Sequence, residues 1–106
     1  LANGLLLAPV FRHNAVHLPE TVASMASALG HCGPAGEAGS AITRALHALF
    51  AACGVSRAAR DAGVDERLLA EFARDCYSDP YRFKNQVGEL TEDDVLRFYR
   101  ESWRGV

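Results

Sequence analysis

The segment Ala41-Ile42-Thr43-Arg44-Ala45-Leu46-His47-Ala48-Leu49-Phe50-Ala51-Ala52-Cys53-Gly54 carries the plainest periodicity in the chain. Ile42, Ala45, Leu46, Leu49, Phe50 and Cys53 recur at spacings of three and four, which gathers them into one stripe of an α-helix. Gly54 follows as a left-handed stop. The pattern predicts a helix from Ala41 to Cys53 whose apolar stripe, thiol included, faces a core.

Working outward, the same period recurs on both sides. Pro19-Glu20 opens a helix at the position where a missing N–H costs nothing. Val22, Met25, Ala26 and Leu29 form its stripe, and Gly30 closes it. Leu5–Asn14 is an apolar helix in which Pro9 introduces a kink or removes one hydrogen bond. His31–Ser40, with glycines at 30, 33, 36 and 39, reads as a linker and contains neither a dinucleotide-binding nor a Walker pattern. Downstream, Ser56 caps a short turn, and Asp65 caps a helix carrying Leu68, Leu69, Phe72, Ala73 and Cys76. Tyr77–Leu90 breaks the period, since a residue before proline, here Asp79, avoids the helical region. Thr91 and Asp94 form a capping-box pair, opening a final amphipathic helix with Val95, Phe98, Tyr99 and Ser102 or Trp103 on its apolar face. No segment alternates as a strand would. The prediction is an all-α, bundle-like arrangement of about five or six helices in a single domain over 1–106.

Composition bounds the function. The chain has 106 residues, 49% hydrophobic and 23% charged, with net charge −2. That apolar content suffices for a folded core and excludes a disordered chain. The uninterrupted apolar run Leu5–Phe11 is far short of the roughly 20 residues a membrane span needs. Eleven basic residues against thirteen acidic, with no basic block, give no footprint for nucleic acid or an anionic membrane. Three widely spaced cysteines, Cys32, Cys53 and Cys76, are too few and odd in number for a disulfide framework; a reduced, cytoplasmic protein is expected. The opening at Leu1 has no start residue and no features of a secretory signal, as expected of a piece of a longer chain.

Few residues suggest chemistry. His13 and His17 are four apart, a spacing that binds zinc on a continuous helix, but Asn14 and Pro19 are expected to end the helix between them. His31-Cys32 sits in the linker and has no second half-site. Cys53 and Cys76 lie on apolar stripes, where buried thiols are inert. Glu92-Asp93-Asp94 is what the dipole of a first helical turn favours. The stretch Tyr81-Arg82-Phe83-Lys84-Asn85 stands out instead, with cations and aromatics alternating in a loop on a rigid scaffold. Arg82 there offers a bidentate fork, and Lys84 a point charge, to a carboxylate or phosphonate.

The order of these segments resembles the iron-containing alcohol dehydrogenases. Ala2-Asn3, the aliphatic run, Pro9 and Asn14 follow that family's spacing, with Pro9 one place late and His13 where Phe is common. Gly54-Val55 and Asp61-Ala62-Gly63-Val64 resemble its Leu-Gly-Ile-Pro and Leu-Gly-Val junctions. Asp79–Asn85 stands where the family has Asp, a variable stretch and Asn-Pro-Arg, although Gln86-Val87 departs from Pro-Arg. Thr91–Tyr99 and Trp103 resemble its terminal helix. The resemblance spans essentially the whole chain and implies the C-terminal helical half of a dehydroquinate synthase-like architecture.

What the resemblance implies for chemistry is reversible hydride transfer between a small alcohol or aldehyde and NAD(P), assisted by a divalent metal, iron or zinc. The family's metal ligands and its α/β nucleotide-binding domain precede the segment that begins at Leu1, so no catalytic, cofactor-binding or metal-ligating residue is assigned here. Tyr81, Arg82 and Lys84 are the expected substrate contacts, the last two suited to an anionic substrate. A homo-oligomer is expected. A free-standing helical interaction module without catalysis is the alternative, and a glycerol dehydrogenase-like domain another.

Overall fold

Helix α1 (Ala2–Ala15) runs through the middle of the molecule, flanked by the pair α2 (Pro19–Ala28) and α3 (Ala38–Ala52) and by the pair α4 (Leu69–Tyr77) and α5 (Glu92–Arg104). The computed structural model describes residues 2–106; Leu1, which opens the segment quoted for the resemblance, lies outside them. The remaining regular structure consists of single 3-10 turns at Ala35–Glu37, Ala59–Ala62, Glu66–Leu68 and Pro80–Phe83. Among the described residues there is no strand, as the sequence predicts.

Local chemistry sets the helix ends. Pro19 occupies the first turn of α2, and Gly30 and Gly54 adopt φ of 90° and 69° just past α2 and α3. Asp65 accepts a hydrogen bond from the Arg67 backbone N–H. At α5 the capping box forms in full: Thr91 Oγ1 accepts from the Asp94 N–H, and Asp94 Oδ2 accepts from the Thr91 N–H. Hydrogen bonds from the Thr91 backbone and hydroxyl, with the Arg97 guanidinium nearby, hold the Asp94 carboxyl below the usual carboxylate range.

The core is built from small side chains. Val22, Ala26, Ala38 and Ile42 interlock between α2 and α3, with Phe11 and Ala15 of α1 against them. Ala8, Leu69, Ala73, Val95 and Phe98 are buried elsewhere in the helix assembly. Pro9 is fully buried inside α1, so its ring packs while leaving the carbonyl of Leu5, four residues back, without its N–H partner. The two ends of the chain are tied together: Arg12 Nη2 donates to Glu101 Oε2 at 2.9 Å and to the Val106 carbonyl at 2.8 Å. Trp103 Nε1 donates to the Val64 carbonyl at 2.8 Å, fixing α5 against the junction before α4.

The molecule is a slab, 41 × 33 × 18 Å. Its thin dimension is less than two helix diameters of about 10–12 Å. This shape corrects several sequence expectations. Leu49 on α3, Met25 on α2, Leu29 just past it, and Leu68 and Phe72 around α4 are 58%, 45%, 61%, 41% and 37% exposed. Ala45 and Cys53 are exposed as well, so the α3 stripe is only half covered and the Cys53 thiol is not a core thiol. Alanines let the helices approach closely, and a single layer of contacts covers only part of each stripe. Helix α3 also begins at Ala38, three residues before the predicted start, because the Ala35–Glu37 turn runs directly into it. His31–Ser40 is therefore not a plain linker.

Candidate functional site

The segment from Tyr77 to Leu90 lines two neighbouring cavities of the molecule. Asp79, extended before Pro80, uses Oδ1 to accept from the Tyr81 N–H at 3.1 Å and so caps the Pro80–Phe83 turn. The Phe83 ring packs against Tyr77 with centroids 5.7 Å apart. Gln86 Nε2 donates to Asn14 Oδ1 and to the Val87 carbonyl, which pins the segment to the end of α1. Gly88, at φ 73°, passes so near the His17 ring that a Cβ would lie 2.9 Å from it; only glycine fits that crossing without strain.

Two cavities share Phe83, Gln86 and Leu90 in their walls. The outer one, about 540 Å³, opens beside Tyr77, Ser78 and Pro80. The inner one, about 180 Å³, lies between α1, α4 and α5, where Leu6, Val10, Val95 and Phe98 give it an apolar body. Cys76, Arg82, Tyr99 and Gln86 are the polar residues in its wall. Arg82 Nε also donates to Asp79 Oδ2 at 3.4 Å. The Cys76 thiol, followed by the Asp79 carboxylate, raises the Arg82 pKa above its ordinary value. Burial, and then Cys76, raise that of Tyr99.

Of the three residues singled out from sequence, only Arg82 forms part of the inner wall. Tyr81 is 83% exposed, Lys84 is exposed, and neither lines either cavity. Tyr81 and Arg82 lie in the Pro80–Phe83 turn, and Lys84 directly follows it. Cys76 corrects the sequence reading: it is half-buried and lines a cavity, not sealed in a core. Tyr99 was legible only as an apolar-face position of α5. The signal available in sequence was a thiol and a hydroxyl on otherwise apolar stripes.

The histidines are placed by packing. Helix α1 ends at Ala15, between His13 and His17, as predicted. The His13 and His17 ring centroids are 6.2 Å apart. His13 Nδ1 accepts from Arg97 Nη2 at 3.1 Å, and its ring stands edge-on to Phe98. Because arginine only donates, the His13 proton is on Nε2, which is buried with no partner among the described residues. Burial, then the charges of Arg57 and Arg12, lower the His47 pKa.

A catalytic divalent metal needs about three protein donors. Among the described residues, no three His, Cys, Asp or Glu side chains converge to supply them. These residues therefore do not fit such an ion, and no metal-dependent step is assigned to them. No helix of the described residues is long and apolar enough to cross a membrane.

Comparison with known proteins gives one match. The family model described as "Fe-containing alcohol dehydrogenase family, C-terminal" covers residues 1–103. No curated protein and no solved structure matches the chain. The family match covers nearly the whole sequence, the all-helical architecture agrees with it, and the chain belongs to the C-terminal region of the Fe-containing alcohol dehydrogenase family.

Proposed function

We propose that these residues form one wall of the substrate cleft in an NAD(P)-linked, metal-dependent alcohol dehydrogenase or aldehyde reductase. The observation that carries this reading is the Pro80–Phe83 turn. It places Arg82 in the wall of an apolar cavity, with exposed Tyr81 beside it in the turn and exposed Lys84 directly after it. The metal and the nicotinamide are held by an α/β part of a longer protein, and hydride transfer belongs to those groups. The helical wall excludes water from the cleft and contacts the non-reacting part of the substrate, a small alcohol or aldehyde. The half-covered apolar stripes support the same reading, since they suit a wall that packs against further protein. The assembled enzyme is expected to be a cytoplasmic homo-oligomer, and residues 1–106 alone are expected to be inactive.

Steady-state kinetics of the full-length enzyme test the role of the turn. Tyr81→Ala is expected to raise KM for aldehydes about fivefold, the scale of one aromatic contact, with metal content unchanged. Neutralising Arg82 and Lys84 together is expected to weaken carboxylated or phosphonylated aldehydes about tenfold relative to simple ones. The full strength of a charged hydrogen bond is discounted here for solvent screening. Kinetics unchanged across several aldehydes remove Tyr81 from the site, and an equal loss on charged and neutral substrates removes the anion role.

A further inference from the structure

We propose that Cys76 is a site of covalent addition for apolar α,β-unsaturated aldehydes and ketones, which enter the inner cavity between α1, α4 and α5. The cavity supplies both parts of such a site. Leu6, Val10, Val95 and Phe98 accept a hydrocarbon chain, and at the polar end the thiol shares the wall with two hydrogen-bond donors, Arg82 and Tyr99. A carbonyl oxygen that accepts from those donors would put its conjugated β-carbon in the cavity whose wall Cys76 shares. The influence of Cys76 on both Arg82 and Tyr99 is consistent with the three groups forming one cluster.

The chemistry balances without an oxidant or reductant. Sγ bonds to the β-carbon as the C=C π pair shifts toward oxygen, giving an enolate that accepts from Arg82 and Tyr99. The α-carbon then takes up a proton, solvent carries away the thiol proton, and the net change is addition of S–H across the double bond. The two donors lower the barrier in the manner of an oxyanion site. Cys32 and Cys53 have no such setting: both are exposed, and neither lines this cavity.

This inference rests on the cavity and not on the dehydrogenase reading, and its test reads adduct mass instead of turnover. The full-length enzyme is treated in parallel with iodoacetamide and with trans-2-hexenal, and modification of each cysteine is followed by peptide mass spectrometry. Iodoacetamide, small and hydrophilic, is expected to label exposed Cys32, which lies on no apolar stripe, ahead of half-buried Cys76. The enal is expected to reverse that order, with Cys76 ahead by about tenfold. Arg82→Gln and Tyr99→Phe are each expected to slow the Cys76 adduct several-fold and leave Cys32 and Cys53 unaffected. The same order with both reagents overturns the proposal, and so does a reversed order that neither variant changes.

Discussion

Phe98→Ala is expected to destabilise the packing of α5 on α1 by about 3–5 kcal/mol, the range for truncating a buried phenylalanine. Phe98 is 5% exposed. Its ring meets His13 edge-on at a 5.2 Å centroid separation, and Arg97 lies over it at 5.1 Å. It also lines the inner cavity, so truncation enlarges a space that already exists and neighbouring side chains cannot close over the loss. A total stability of about 5–15 kcal/mol is typical of a domain, so this single change removes a large share. Amide hydrogen exchange measures it locally: protection in α1 and α5 should fall by about two to four orders of magnitude. Phe98→Leu, which keeps most of the volume, should cost less than about 1.5 kcal/mol. A change below tenfold in Phe98→Ala contradicts the assignment of Phe98 as the main apolar contact of this seam.

The second large effect is expected at Gly105. Its φ of 79° is left-handed, and a Cβ there would lie 3.0 Å from Ala58 Cβ and 3.2 Å from Ala58 Cα. The Gly105 N–H donates to the Glu101 carbonyl at 2.9 Å, which closes α5 and positions the Val106 carbonyl that Arg12 holds. Gly105→Ala combines left-handed strain with crowding against backbone, and about 2–3 kcal/mol of destabilisation is expected. Gly36→Ala is the control: nothing lies within 4 Å of its Cβ position and its φ is not positive, so thermal melting should move little. Equal shifts in the two variants contradict the account of how the C-terminus is anchored.

The parts of this fold that could be read from sequence are the ones fixed by neighbouring residues. Pro19, Gly30, Gly54, Asp65 and the Thr91–Asp94 box each act within a few positions, and each does in the structure what its chemistry dictates. The depth of burial was not legible in the same way. A stripe such as Ile42, Leu46 and Leu49 says which side of a helix is apolar, but how much of it is covered depends on partners distant in sequence. Here Ile42 is buried and Leu46 half-buried, while Leu49 stays 58% exposed. The site divides along the same line. Arg82 was legible because a loop concentrates polar and aromatic groups within five residues. Leu6, Cys76 and Tyr99 come from three separate helices, and only tertiary packing brings them to one cavity.

The most direct test is reduction of an aldehyde by NADH or NADPH with the full-length enzyme, assayed with iron or zinc bound, after chelation, and with residues 1–106 alone. The expected result is alcohol formation in step with nicotinamide oxidation, abolished by chelation, restored by the metal, and absent from residues 1–106. Turnover that persists after complete metal removal, or turnover by the isolated residues, would contradict the proposal that these helices form the non-metal wall of a metal-dependent dehydrogenase.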